Sequence, residues 1–262
     1  MQNTIAFPGL GIDAFKINEY IEIFGFKIHW YGVIIALGVI LGYLLATHDA
    51  KKRSLSADTM TDILLFGLPS AVVCARIYYV LFEFDSYRDN LISVFKIWEG
   101  GIAIYGAIIG ACLSTFIYCK KKNVNIKKAF DSGAFGLICG QAIGRWGNFV
   151  NAEAFGGETR LPWRMELLDL GISVHPTFLY ESLWNFGVLL VMLKFRKKQK
   201  FDGENFLLYI TLYGLGRFWI EGLRTDSLFL GAFRVSQVLA LICAITGFVL
   251  IIFYRKKCGE KI

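Results

Sequence analysis

Residues 30–53 read WYGVIIALGVILGYLLATHDAKKR. No charged side chain occurs between Trp30 and Thr47, and the run closes on Lys51-Lys52-Arg53. A helix rises about 1.5 Å per residue, so roughly 20 apolar residues cross the hydrocarbon core of a bilayer. The stretch therefore predicts a membrane span stopped by positive charge. Working outward, comparable runs lie near 60–83, 102–119, 129–148, 177–193, 204–222 and 233–254. The expected fold is an all-α polytopic integral membrane protein with seven transmembrane helices. One membrane domain covers residues 1–262, with outer segments at 1–29 and 149–176.

Composition agrees. Of 262 residues 55% are hydrophobic and 16% aromatic, with only 19% charged, and the mean hydropathy is +0.51. Soluble domains carry about a quarter charged residues. A secreted disulfide scaffold, a disordered chain and a nucleic-acid binder are excluded on these grounds. The net charge of +7 and a pI near 9.0 come from clusters between apolar runs, as membrane topology would place them. No apolar core follows a charged start, since the first basic residue is Lys16. No cleavable signal peptide is expected, and the first span inserts itself.

Charge bias sets the orientation. Basic clusters follow spans one (Lys51, Lys52, Arg53), three (Lys120, Lys121, Lys122, Lys127, Lys128), five (Lys194, Arg196, Lys197, Lys198, Lys200) and seven (Arg255, Lys256, Lys257, Lys261). Seven spans put all four on one side, so the N-terminus lies outside and the C-terminus in the cytoplasm. The cysteines lie in spans or on the cytoplasmic side without a CxxC pair, and only three histidines occur. Neither disulfides nor a metal site is indicated. Residues 15–28 alternate around Gly25 and read as a small β-hairpin.

Gly136, Gly140 and Gly144 form a ridge on span four, matched by Gly38/Gly42 and Gly106/Gly110, and read as close helix packing. Arg76, Arg145 and Arg217 lie inside spans, within about two helical turns of the outer surface. One such arginine would be explained by snorkelling. Three at one depth suit an anion in the headgroup zone, because the guanidinium fork matches a phosphodiester. Arg217, Glu221 and Arg224 share a helix face, and Asn148 is one turn beyond Arg145, with Glu153 following. His175-Pro176 opens span five, which carries Tyr180-Glu181 just inside, and His29-Trp30-Tyr31-Gly32 opens span one. A structural ion pair is the lesser competing account of Arg217–Glu221, and an interfacial aromatic belt a competing account of Trp30 and Tyr31.

These residues resemble the bacterial prolipoprotein diacylglyceryl transferases. The signature-like stretch is Gly144-Arg145-Trp146-Gly147-Asn148-Phe149-Val150-Asn151-Ala152-Glu153-Ala154-Phe155-Gly156. Supporting blocks are His29 to Gly32, Arg76 before its tyrosines, His175 to Glu181, and Gly216-Arg217-Phe218 leading to Glu221 and Arg224. The resemblance implies transfer of diacylglyceryl from phosphatidylglycerol to a cysteine thiol in a preprolipoprotein signal peptide. The setting would be the bacterial cytoplasmic membrane, with the site towards the outer leaflet. It implies no cofactor and no metal, and no nucleic-acid partner. By the match, Arg145 and Arg217 serve the phosphate, with Glu153 and Tyr105 as further catalytic candidates. Arg145 also counts among the substrate-binding candidates, with Asn148, Gly156, Glu221, Arg224, Arg76, His29, Tyr31, His175 and Glu181. Many members place a histidine where this chain has Tyr105. A phenol, with a reference pKa of about 10, is a poor base for a thiol of about 8.5. Glu153, His29 and His175 are then the groups available to take the proton, unless nearby arginines lower the thiol pKa enough. An anion or lipid transporter lined by arginines is the alternative, and a membrane chaperone or scaffold a further one.

Overall fold

Long apolar runs form helices because a backbone without water must bond to itself. The computed structural model describes residues 2–56, 58–225, 229–230 and 233–259; Lys261 of the terminal basic cluster lies outside them. Among the described residues there are seven α-helices: α1 (Trp30–Lys52), α2 (Thr59–Phe82), α3 (Ile104–Lys122), α4 (Ile126–Val150), α5 (Thr177–Phe195), α6 (Glu204–Glu221) and α7 (Val235–Gly259). Four are long and apolar enough to cross a membrane: α1, α2, α7, and α5 with the 3-10 turn Arg196–Lys198 that continues it. The chain is thus mostly helical, in the manner of a membrane protein. The helices outrun the apolar stretches at their basic ends, where Lys51 and Lys52 in α1 and Lys120, Lys121 and Lys122 in α3 complement the negative helix C-terminus.

The chain divides into two compact units, Met1–Ala46 with Asp131–Ile262, and Thr47–Phe130. In the first, four strands precede α1: β1 (Gln2–Phe7), β2 (Ile12–Asn18), β3 (Tyr20–Ile23) and β4 (Phe26–His29). Two more, β5 (Met165–Leu167) and β6 (Ile172–Val174), lie between α4 and α5. They form an antiparallel sheet of order β2-β1-β5-β6, and β3 pairs separately with β4. The hairpin expected over 15–28 is therefore displaced. Residues 15–18 bond to β1, with Ile5 opposite Phe15 and Gln2 opposite Asn18, while Tyr20–Ile23 turns through Gly25 onto Phe26–His29. The physical reason is β1, a partner strand at the very start of the chain that competes for β2. Beneath the sheet, Ile5, Phe7, Met165, Leu167, Val174 and Phe178 form one apolar cluster.

A second cluster joins α4, α5 and α6 through Ala134, Phe135, Ile138, Val188, Leu189, Met192 and Tyr209. Asp131 of α4 anchors the start of α6: its carboxylate accepts from the backbone N–H of Gly203 (2.8 Å) and Phe206 (2.9 Å). These donors are among those a helix N-terminus leaves unbonded. The glycine ridge packs α4 on α1, and a Cβ at Gly42 would lie 2.6 Å from the Gly136 carbonyl oxygen. The nearest atoms there are all Gly136 backbone, so Gly42→Val has to force the helices apart. It should cost about 1–3 kcal/mol, the usual range for overpacking, read as a lowered midpoint of thermal unfolding in detergent. An unchanged midpoint would show that α1 is held elsewhere.

In the second unit α2 packs on α3, with Gly106 and Gly110 set against Cys74 and Ser70. Tyr118 of α3 donates to the Asp62 carboxylate of α2 at 2.9 Å.

Candidate functional site

Three helices of the first unit each bring a charge to one point. Glu181, buried in the second turn of α5, receives Arg145 from the end of α4 at 2.6 Å and Arg217 from α6 at 3.2 Å, one on each oxygen. Arg217 reaches Glu221, one turn on, at 2.6 Å. Two cations and two anions thus neutralise one another in a buried setting, the condition under which such charges are tolerated. Arg145 also donates to Asn148 Oδ1 (3.2 Å), and Asn148 Nδ2 donates to Glu153 Oε1 (2.8 Å). One chain of hydrogen bonds and ion pairs therefore runs Glu153–Asn148–Arg145–Glu181–Arg217–Glu221. Glu181 and Glu221 are buried, but the arginine side chains are 22% and 19% exposed. A guanidinium has five donors in a rigid fork, so both can engage an anion from the open side.

A second set of contacts fixes the segment between α4 and α5 onto the end of α6. Gly157 N donates to Leu223 O (2.8 Å), Gly156 N to His175 O (3.0 Å), and Gly156 bridges Arg224 in antiparallel fashion. A Cβ at Gly156 would lie 2.7 Å from His175 Cβ and 3.0 Å from the Leu223 oxygen, so only glycine fits this crossing. Arg224 N in turn donates to Glu221 O at 3.2 Å, tying the crossing to the charged chain. Trp163 donates to the Tyr180 hydroxyl (2.8 Å), which lies 3.3 Å from His175 Nδ1. Burial pushes the His175 imidazole below its usual value of 6.5, so the ring is neutral at pH 7. The Tyr31 ring packs over Gly147, where a Cβ would come within 2.8 Å of it. His29 closes β4 with its ring 5.5 Å from that of Tyr20.

Sequence reasoning missed Tyr213. Its hydroxyl lies in the field of Glu181, Arg217 and Arg145. The available signal was its position one helical turn before Arg217 on the same face of α6. Arg76 and Tyr105 belong to the second unit. Arg76 is buried there, with its guanidinium donating to backbone carbonyls. Tyr105 opens α3 with its ring 6.4 Å from that of Tyr78. Among the described residues, no three His, Cys, Asp or Glu side chains gather as a metal centre requires.

A mostly helical chain with apolar, membrane-length helices and an interior arginine–carboxylate chain defines a class, that of helical membrane proteins with a buried cluster of paired charges. The family model for prolipoprotein diacylglyceryl transferase matches residues 18–253. The chain belongs to that family. Among similar proteins, the phosphatidylglycerol–prolipoprotein diacylglyceryl transferase of Clostridioides difficile is 48% identical over 92% of this chain and 96% of its own length. That of Finegoldia magna is 50% identical over 92% of this chain and 98% of its own. That of Listeria innocua is 47% identical over 90% and 89%. The transporter alternative receives no support from these matches.

Proposed function

We propose that the chain transfers the diacylglyceryl group of phosphatidylglycerol to the lipobox cysteine of a preprolipoprotein signal peptide, the first step of lipoprotein maturation. The names of its relatives support the reaction, and the bonded chain from Glu153 to Glu221 supports the placement of the site. In this displacement the thiol sulfur forms a bond to the glyceryl carbon. The bond from that carbon to the phosphate oxygen breaks, and its electron pair leaves as glycerol phosphate. Charge grows on the phosphate as the bond breaks, so donors aimed there lower the barrier. Arg145 and Arg217 are those donors. Glu181 holds both forks at fixed spacing, and Asn148 orients Arg145. Positive charge nearby also favours the thiolate.

Glu153 takes the thiol proton. It is exposed, and Asn148 links it to the arginine that binds the phosphate. General bases contribute about 10²–10⁴-fold, so Glu153→Gln should lower transfer at least a hundredfold, while His175→Gln stays within about tenfold of wild type. The reverse ranking would make His175 the acceptor. The direct test uses purified protein, phosphatidylglycerol and a synthetic signal peptide containing the cysteine. The peptide mass should rise by one diacylglyceryl group, and a cysteine-to-serine peptide should gain nothing. Folded protein giving no mass shift would reject the function.

The seven helices all cross the bacterial cytoplasmic membrane, N-terminus outside, with the site towards the outer leaflet. The basic clusters near Lys51, Lys120, Lys198 and Lys256 support this orientation, because cationic loops stay in the cytoplasm. In intact cells an impermeant thiol reagent should label an engineered cysteine at Glu158 and spare those at Lys198 and Lys256. Labelling at Lys198 would invert the topology and with it the side on which lipid enters.

A further inference from the structure

Among the described residues Arg76 makes no ion pair. Its guanidinium donates to the carbonyl oxygens of Val94 (2.7 Å), Gly100 (2.6 Å), Gly101 (2.8 Å), Ser93 (2.7 Å) and Lys96 (3.4 Å). The group is also stacked 5.0 Å from the Tyr87 ring. All five acceptors belong to the irregular segment between α2 and α3, which runs as short 3-10 turns at Phe84–Ser86, Leu91–Phe95 and Ile97–Glu99. Gly100 and Gly101 turn back through φ of 90° and 73°, a region open to glycine. Arg76 has no donors to spare for a phosphate. Its expected role in substrate binding is therefore replaced by one in holding this backbone.

The segment's outward side is apolar. Ile92, Phe95 and Trp98 are 73%, 78% and 77% exposed, more than single scattered apolar residues require. Four of the five charges in residues 84–99 pair locally, Arg88 with Asp85 and Lys96 with Glu99, while Asp89 is exposed. Non-helical backbone is excluded from lipid unless its polar groups are bonded within the protein. Arg76 meets that condition for five carbonyls at once. The segment also continues directly from α2, one of the helices of membrane-crossing length.

We propose that residues 84–99 form an interfacial wedge whose Ile92, Phe95 and Trp98 side chains enter the lipid leaflet adjoining the C-terminal end of α2, with Arg76 as the positioning residue that makes this backbone compatible with lipid. The inference rests on the reading of α2 as a membrane span. It assigns to the wedge a lipid-surface contact that keeps the end of the α2–α3 pair at fixed depth.

The test places a single nitroxide at Ile92→Cys, Phe95→Cys or Trp98→Cys in a background without native cysteines, in phosphatidylglycerol-containing liposomes. Collision with oxygen is compared with collision with a water-soluble nickel chelate. Labels at 92, 95 and 98 should favour oxygen several-fold more than one at Asp85→Cys, and Arg76→Met should return them to the Asp85 value. Arg76→Lys should restore only part of the depth, since an ammonium has three donors for five carbonyls. A label at Val73→Cys in α2 is the control. Nickel-accessible labels at 92, 95 and 98 with a lipid-exposed Val73 label would overturn the wedge alone. A nickel-accessible Val73 label would overturn it together with the span. Labels shielded from both reagents would mean that protein covers the face, and would also overturn it. Unchanged depth in Arg76→Met, with α2 and α3 still helical by circular dichroism, would remove Arg76 from the role.

Discussion

Glu181→Gln should lose transfer by roughly a thousandfold. The substitution keeps the shape of the side chain and removes the charge that faces both Arg145 and Arg217. Each guanidinium then lacks its anchor, and two like charges share a buried corner with only Glu221 to offset them. A charge-assisted bond contributes about 1.5–3 kcal/mol. Losing the alignment of two such donors at the phosphate amounts to about 4 kcal/mol, which is about three orders of magnitude in rate. Stability should fall as well, by about 3 kcal/mol, because removing one partner strands buried charge. Transfer rate at equal membrane level, with unfolding followed in detergent, separates the two effects. A stable Glu181→Gln protein within tenfold of wild type would show that the arginines are positioned without it.

Arg145→Lys tests geometry at constant charge. Lysine replaces a planar fork with a compact ammonium that cannot serve Glu181, Asn148 and a phosphate together. At about 1.5–3 kcal/mol for the lost bond, transfer should fall by about one to two orders of magnitude. Arg145→Ala should fall further, because it also removes the charge. Were the arginine only snorkelling, lysine would serve nearly as well. A stable lysine variant within about twofold of wild type, a difference of ~0.4 kcal/mol, would remove Arg145 from the phosphate site.

The helical segments were legible in the sequence because length and apolarity are local properties. Trp30–Lys52 and Val235–Gly259 follow from runs without charge and from the lysines that stop them. The charged face of α6 was legible for the same reason, since Arg217 and Glu221 are one turn apart and their pairing needs no tertiary information. Gly42 and Gly136 announced close packing, though not that they would meet each other.

What the sequence by itself determined is therefore a set of helices, their basic ends, and a motif whose polar residues belong to a known family. Tertiary structure alone decided the partners. Glu181 is separated by 36 residues from both Arg145 and Arg217, and no periodicity says that one carboxylate receives both. That outcome depends on α4, α5 and α6 packing through Phe135, Ile138, Leu189 and Tyr209. Arg76 shows the same limit from the other direction. In sequence it is one more arginine in an apolar run, alike in kind to Arg145. Its fork closes instead on the carbonyls of Ser93, Val94, Gly100 and Gly101, because the chain after α2 folds back over it. A side chain's charge is written in its residue type, but whether that charge meets backbone, carboxylate or substrate depends on which distant segments the packed helices bring to it.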